Sequence, residues 1–279
     1  MCIEVSFSLN QEESSQIDGL FAACRKKDSL PFSSLIPCEP KDLTVFFYRE
    51  NGRLLSLLET APFSPDTWEL RAFTHPDARR RGYLRRLFSF MAARLFADGL
   101  PEFFFYAGEN SEDTKGFVRR FACQKLDTDH LLSLTPPWPA PQNKFSAVPC
   151  QSSDKLAGIH ADIFGWPVAE SGQYLAENLE DPGRLAFLLE KTGRPAGCFL
   201  LTFFSETACL SGFGLRPAFR GKGFAAPALN AVLNSLPSSC QRLDVQVSES
   251  NKPAYHLYRK AGFISRSALT SYRFSGFLS

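Results

Sequence analysis

The residues best placed to do chemistry are six in a row, Arg220-Gly221-Lys222-Gly223-Phe224-Ala225, followed some way on by Asn251, His256 and Tyr258. The six stand between an apolar run, Cys209 to Leu215, that reads as a strand and an amphipathic run, Ala226 to Leu236, that reads as a helix. Backbone N–H groups of a glycine-rich turn converge on one point, and the first turn of a helix adds unsatisfied donors and the positive end of its dipole. The chemistry is anion binding, and a pyrophosphate is a fitting anion. Glycine serves where the backbone must come close to a ligand or take a positive φ, and Ala225 keeps the first turn uncrowded. Such turns also arise for steric reasons alone, so the turn by itself leaves both readings open.

A second block stands at a fixed distance: a strand from Arg242 to Val247, then Asn251-Lys-Pro-Ala254-Tyr-His-Leu-Tyr258-Arg-Lys-Ala-Gly262-Phe263. Asn251 just ahead of Lys252-Pro253 is a good helix N-cap, whatever else its amide does. Turn, asparagine, tyrosine and Gly-Phe helix end, in this order and spacing, resemble the GNAT-type N-acetyltransferase superfamily over roughly residues 145 to 279. The resemblance implies transfer of an acetyl group from acetyl-CoA to an amine. It implies that Arg220, Gly221, Lys222, Gly223, Phe224 and Ala225 hold the CoA pyrophosphate and that Asn251 faces the pantetheine arm. It also implies that a backbone N–H of the preceding strand, at Leu215 or a neighbour, receives the oxyanion, and that Tyr258 meets the thioester sulfur.

A thiol of pKa roughly 8.5 is already a good leaving group, and a phenol of pKa near 10 can protonate it as charge develops. Tyr258 is therefore the expected acid; packing of an amphipathic helix with Ala254 and Leu257 is the alternative. Glu206, in the turn before the strand, is the carboxylate nearest to where the family often puts a base, with a water relay or a plain solvated carboxylate as the other readings. His256 reads as surface or lid, and Ser248 and Glu249 as further candidates to contact the acceptor amine. The region from Ser152 to Glu180, bent at Phe164-Gly165-Trp166-Pro167, lines an acceptor pocket or packs two domains together.

The elements that must position these groups come from a chain of 279 residues, longer than the usual single domain of about 100 to 200. Apolar residues make up 44% and phenylalanine alone numbers 27, which favours a large aromatic core over disorder. No apolar run approaches the roughly 18 residues of a membrane span and no signal segment is evident, so the expected location is cytoplasmic. The cysteines, at positions 2, 24, 38, 123, 150, 198, 209 and 240, show no metal spacing and read as reduced packing residues; no metal is expected. A net charge of +2 does not call for nucleic acid. The cluster Arg79-Arg80-Arg81 with Arg85 and Arg86 is a phosphate site, a nucleic-acid patch or a solvated helix start.

From the N-terminus, Ile3 to Leu9 reads as a strand and a helix begins near Gln11; a Pro-containing loop, Ser29 to Pro40, follows. Strands Leu43 to Tyr48 and Arg53 to Thr60 flank Asn51-Gly52, a strong hairpin signal. Strand Thr67 to Thr74 leads into Arg79-Arg80-Arg81-Gly82 and a helix with Leu84, Leu87, Phe88, Met91 and Leu95 on one stripe. Strand Glu102 to Ala107, helix Ser111 to Phe121 and strand Gln124 to Leu134 complete this half.

The second half repeats the first. Gly52 and Gly193, Pro76 and Pro217, Arg79 and Arg220, Gly82 and Gly223, and Asn110 and Asn251 all stand 141 residues apart. The expected fold class is α/β (α+β): two tandem GNAT-like domains, each a mixed, mostly antiparallel sheet flanked by helices, at 1–135 and 150–279 with a Pro-rich linker at 136–149. At that offset Ala225 matches Leu84, Tyr258 matches Phe117, and Gly262-Phe263 matches Phe121-Ala122. The second copy is then the catalytic one, and each chain, as monomer or homodimer, takes one acetyl-CoA and an amine of a small molecule or peptide. The reading from a different class is a module that binds acetyl-CoA or nucleic acid without turnover.

Overall fold

The computed structural model of the chain describes residues 2–28, 43–64, 66–97, 99–108, 112–140 and 144–274. The first-half elements are β1 (Cys2–Ser6), α1 (Gln11–Asp28), β2 (Thr44–Glu50), β3 (Arg53–Ser64), β4 (Thr67–Thr74), α2 (Tyr83–Leu95), β5 (Glu102–Gly108), α3 (Glu112–Arg120) and β6 (Gln124–Leu134). The second-half elements are β7 (Ser146–Pro149), α4 (Ser153–Phe164), α5 (Val168–Leu179), β8 (Arg184–Lys191), β9 (Arg194–Phe204), β10 (Thr207–Leu215), α6 (Ala225–Asn234), β11 (Arg242–Ser248), α7 (Lys252–Lys260) and β12 (Ile264–Phe274). The expected Ser29 to Pro40 loop and Asn110 lie outside the described residues.

The chain divides into two compact units, Met1–Asp129 with Ser267–Ser279, and His130–Arg266. In the first, the strand order is β1-β2-β3-β4-β5-β12, antiparallel except for β4 with β5. Asn51 and Gly52 close the β2–β3 hairpin with φ of 50° and 76°, the double positive φ of a type I′ turn. Helix α1 starts on a reciprocal cap, Glu13 N–H to Asn10 Oδ1 at 2.9 Å and Asn10 N–H to Glu13 Oε2 at 3.0 Å. Ile17, Leu20 and Cys24 of α1 cover one face of the sheet; Leu87, Phe88 and Met91 of α2 cover the other.

In the second unit the order is β6-β11-β10-β9-β8-β7, with β10 and β11 parallel. Its cores are Leu156, Ile163 and Leu175 under α4 and α5, and a larger cluster holding Leu229, Val232, Val245, Tyr258 and Phe263. Part of the expected linker is strand: Ser146–Pro149 pairs with Phe187–Glu190.

The division differs from the expected domain ranges at the ends. β12 pairs with β5 over Leu269–Phe274, buries Phe274 in the first unit's core, and is tied there by Thr128 Oγ1···Thr270 Oγ1 at 2.9 Å. β6 lies beside β11, with Ser133 Oγ donating to Asp244 Oδ1 at 2.6 Å in a buried bond. β6 and β12 are the same element of the repeat, 140 residues apart, and hydrophobic periodicity does not say which sheet such a strand joins.

Hydrogen bonds repeat with the sequence. His75 N–H to Leu55 C=O (2.8 Å) matches Arg216 N–H to Ala196 C=O (2.9 Å), and Arg79 N–H to Pro76 C=O matches Arg220 N–H to Pro217 C=O. The offset is not constant, however. Leu70 pairs with Thr60 where Leu210 pairs with Leu201, and Thr74 pairs with Ser56 where Leu215 pairs with Gly197. From Leu70 to Thr74 is four residues and from Leu210 to Leu215 is five. The extra residue makes a β-bulge in β10, with Gly212 at φ 57° and the register shifted between Ser211 and Gly214.

At the bulge the backbones of β9 and β10 close up: a Cβ on Gly197 would stand 2.1 Å from the Gly214 carbonyl oxygen. Gly197→Ala should therefore lower stability by about 1–3 kcal/mol, because backbone cannot give way as a flexible side chain can. Gly158→Ala, in an exposed helical site where a Cβ meets nothing within 4 Å, should raise it by about 0.5–1 kcal/mol. Urea denaturation of both variants against the parent checks the pair; equal midpoints would mean that β9 and β10 are not packed this tightly.

Candidate functional site

The site follows from where two parallel strands stop pairing. β10 and β11 are in register only from Thr207–Leu210 to Arg242–Val245, after which β10 continues along β9 alone. Ligands of α/β sheets gather at the C-terminal ends of parallel strands, where the connections that leave them flank an opening. Here those connections are the turn after Leu215 and helix α7 after β11.

The turn has the geometry of an anion cradle. Gly221 and Gly223 take φ of 70° and 71°, and a Cβ on either would meet nothing within 4 Å, so conformation rather than crowding calls for glycine. Helix α6 starts at Ala225; its first intrahelical bond, Ala228 N–H to Phe224 C=O, leaves the amides of Gly223, Phe224, Ala225 and Ala226 without a described backbone acceptor. Pro227 has no N–H to give, which suits the first turn.

The side chains of the turn look inward. Arg220 Nε donates to the Leu215 carbonyl at 2.8 Å and its Nη2 to the Ile163 carbonyl at 2.5 Å. Its guanidinium thus braces the turn against β10 and the end of α4 and is not aimed at an incoming phosphate; only its backbone keeps the expected role. The Lys222 ammonium donates to the Ala218 carbonyl at 2.8 Å, and the Phe224 ring packs on Phe145 under the Lys191 ammonium. The Leu215 carbonyl is taken by Arg220, and its side chain is in the core.

Asn251 is the N-cap of α7, its Oδ1 accepting from Ala254 N–H at 3.3 Å. Tyr258 is 4% exposed, with its ring 5.3 Å from that of Phe263. Among the described residues its hydroxyl has no hydrogen-bond partner, and it is not one of the fully sealed orphan atoms. Burial pushes the phenol's pKa well above its ordinary value, which keeps the proton on at every physiological pH. His256, two residues away, is exposed.

Glu206 is placed elsewhere. It is exposed in the β9–β10 turn, at the end of β10 where the parallel pairing starts, and its backbone carbonyl accepts from Gln241 N–H at 2.7 Å. The glycine turn lies at the other end of the same nine-residue strand, a length of roughly 30 Å at the rise of a β-strand. Glu206 is set aside as a base for that reason. Ser248 ends β11 and Glu249 follows it, with Glu249 3.9 Å from the Lys252 ammonium.

Three features were missed in the sequence. Ile163 packs so closely on the bulge that a Cβ on Gly214 would be 2.3 Å from its Cγ2, and Asp162 pairs with Arg216 at 2.6 Å, so the end of α4 is clamped over the bulge and the turn. The signal was available as three glycines, Gly197, Gly212 and Gly214, inside apolar strand patterns. His160, buried with Nδ1 3.0 Å from Ser171 Oγ, gathers Phe164, Trp166 and Tyr174 around it. The aromatic bend therefore packs within this unit, with Trp166 45% exposed at its edge.

The two copies differ more simply than the 141 offset suggests. Helices α3 and α7 start 140 residues apart, and Cys123 N–H to Val118 C=O (3.1 Å) matches Phe263 N–H to Tyr258 C=O (3.0 Å). Tyr258 therefore corresponds to Val118, not Phe117, and Gly262 at φ 97° to Ala122 at φ 47°. The first unit still lacks the phenol.

The family model described as acetyltransferase (GNAT) family matches residues 154–263. A Bacillus subtilis (strain 168) protein named as a candidate ribosomal protein bS18-alanine N-acetyltransferase is 29% identical over 110 residues, 39% of this chain and 72% of that protein. A GCN5-related N-acetyltransferase from Sphaerobacter thermophilus superposes with a TM-score of 0.72 at 17% identity, over 97% of this chain and 95% of that one. A tandem GNAT protein from the clavulanic acid biosynthesis pathway does so with 0.73 at 15%, over 99% of each. With the divided sheet, the glycine turn and the buried tyrosine already in place, residues 154–263 match the GNAT acetyltransferase family, and the chain has the fold of a tandem GNAT protein.

Proposed function

We propose that the second unit transfers an acetyl group from acetyl-CoA to a primary amine of a small molecule or peptide by direct attack. The observation that carries this is Tyr258: a buried phenol whose hydroxyl has no partner among the described residues, on the helix that follows β11, the strand that parts from β10. In this reading the free amides of Gly223 to Ala226 hold the pyrophosphate, and Gly221, Lys222 and the backbone of Arg220 shape the turn. Asn251 holds α7 in place while its exposed edge meets the pantetheine arm, and the backbone of β10 around the bulge and Leu215 receives the oxyanion.

A phenol whose pKa lies above 10 is a poor full donor to a thiolate of pKa roughly 8.5, at about 1.4 kcal/mol for each unit of mismatch. Tyr258 then acts by hydrogen-bonding to the sulfur as charge develops, and the thiolate collects its proton finally from solvent. The amine must arrive neutral. A water relay or Glu249 at the end of β11 serves as base, and the α4–α5 bend with Trp166 lines the acceptor's approach. The Bacillus subtilis relative makes a peptide with an N-terminal alanine one member of the acceptor panel to try.

Thiol release from acetyl-CoA with a panel of amines is the deciding experiment; release no faster than without an amine would favour a binding module. Tyr258→Phe should lower kcat by about 10² to 10⁴ and leave acetyl-CoA affinity nearly intact. Unchanged kcat would take Tyr258 out of the mechanism. Gly223→Val should abolish acetyl-CoA binding, which in the parent has a calorimetric stoichiometry near one, because valine resists positive φ and fills the space of the phosphate. For a peptide acceptor, kcat/KM should rise with pH through about 8 as the α-amine deprotonates and show no fall by pH 9.5, since the raised pKa keeps Tyr258 protonated. A descending limb below pH 9.5 would contradict that raised pKa. Glu249→Gln should shift the acid limb if the carboxylate is the base, whereas Glu206→Gln should leave the profile as it is.

A further inference from the structure

Between α4 and α5 the chain turns large apolar side chains outward. Phe164, Trp166 and Val168 are 40%, 45% and 58% exposed, and no charged residue stands between Asp162 and Glu170. Leaving apolar surface in water is costly, and a contiguous patch of it marks a place where another molecule sits. Local backbone and packing hold the patch still. Gly165 caps α4 in the left-handed region at φ 73°, Pro167 fixes the entry to α5, and the buried His160 ring lies 4.5 Å from that of Phe164 and 5.3 Å from that of Trp166. Side chains held in this way lose little entropy when a partner covers them.

The patch adjoins the glycine turn. The Ile163 carbonyl takes Arg220 Nη2 at 2.5 Å and Asp162 pairs with Arg216 at 2.6 Å, so Phe164 follows directly on two residues tied to the chain after β10. That chain leaves β10 at the end where pairing with β11 has ceased. A molecule lying across the bend therefore has one end at the opening that the proposed function gives to acetyl-CoA.

Away from the bend, helix α5 carries an acidic face. Glu170, Gln173, Glu177 and Glu180 recur at helical spacing on its exposed side, with Gln173 Nε2 donating to Glu177 Oε1 at 2.9 Å, and Asp181 follows. The last turn of α5 has no basic residue, whereas α1, α3 and α7 end on Arg25-Lys26-Lys27, Arg119-Arg120 and Arg259-Lys260. Carboxylates at the C-terminal end of a helix oppose its dipole, and none of Glu170, Glu177, Glu180 and Asp181 has an ion-pair partner among the described residues. Helix stability does not call for them; a cationic partner does. At about 1.5 Å per residue the face runs roughly 16 Å from Glu170 to Asp181, which an extended chain covers in about five residues.

We infer that the acceptor of the second unit is the N-terminus of a polypeptide that begins with a large apolar residue and carries arginine or lysine over about the next five positions. This acceptor class rests on the acetyl transfer proposed above. The first side chain lies on Phe164, Trp166 and Val168, and the basic residues lie along Glu170, Glu177 and Glu180. The apolar groups are an open wall, so the chain behind the amine continues outward along α5. The α-amine nitrogen bonds the acetyl carbon as the C–S bond of acetyl-CoA breaks. The proton it gives up ends on the departing thiolate by way of solvent, and the products are an N-acetyl peptide and CoA.

The test gives the full chain acetyl-CoA and the peptide Phe-Ser-Arg-Gly-Arg-Arg, whose α-amine is its only amine, beside one version with serine first and one with glutamates for the arginines. The first peptide should be acetylated with kcat/KM about tenfold or more above each of the others, mainly through KM. Trp166→Ala should remove the preference for phenylalanine over serine. Glu177→Lys with Glu180→Lys should remove the preference for arginine over glutamate without lowering the thermal midpoint, because lysine suits a helix C-terminus. Calorimetry of the same peptides on the CoA-loaded chain reads the surface without turnover and should give the same order of affinity. Equal kcat/KM for the three peptides, preferences that survive these substitutions in folded protein, or acetylation of small amines but of none of the peptides would each overturn the acceptor class and leave acetyl transfer standing. Thiol release with no amine at all would instead overturn acetyl transfer, and the calorimetric order, kept or lost, then decides whether this face docks an apolar, basic N-terminus.

Discussion

The second unit depends on one extra residue in β10. Inserted between Leu210 and Leu215, it cannot be absorbed by an antiparallel ladder without a bulge, and the bulge dictates much of what surrounds it. Gly197 must be glycine because Gly214's carbonyl stands where its Cβ would be, and Gly214 must be glycine because Ile163 stands where its own would be. With Ile163 seated there, its carbonyl near the end of α4 reaches the guanidinium of Arg220, which also takes the Leu215 carbonyl at the strand's end. A side chain read as a phosphate ligand is thus a brace between helix, strand and turn. The turn is thus held in place by a side chain bonded to strand and helix.

Both units stop their parallel pair early, β4 with β5 after three residues and β10 with β11 after four. Strand backbone left unpaired inside a protein is costly unless water or a ligand satisfies it. The early stop is common to both copies, and in the second unit the proposed function puts the acetyl-CoA there. The copies differ at the position of Tyr258, a phenol on α7 in one and Val118 on α3 in the other.

What could be read from the sequence were features carried by local backbone chemistry. Asn51-Gly52, Gly221 and Gly223 announce positive φ by residue type, and the copies share landmarks because turns tolerate little change. The bulge stayed hidden because two length changes cancel: β3 has one residue more than β9, β10 has one more than β4, and the landmarks on either side keep their 141 spacing. Tyr258's counterpart was misassigned for a different reason: after the turns one residue fewer leads to β11 than to β5, and the offset falls to 140. Glu206 was misplaced because adjacency to a strand does not say at which of its ends the sheet opens. The partners of Arg220 could not be read at all, since Ile163 and Leu215 meet it only after folding. Tyr258's helix was legible from its apolar spacing; that its hydroxyl is unpartnered was not.

Duplication also explains why the last strand does not stay with its own copy. β6 and β12 occupy the same place in the repeat, so a sheet edge made for one accepts the other. The outcome is that residues 130–266 form a unit from contiguous chain, whereas the unit built on Met1–Asp129 is complete only with Ser267–Ser279. Contacts between segments so far apart in sequence cost loop-closure entropy before they return any pairing. During synthesis β5 stays an open edge until β12 has emerged, and the aromatic core around Phe103 waits for Phe274. The second unit, which holds the glycine turn and Tyr258, is by contrast built from one contiguous stretch, His130–Arg266.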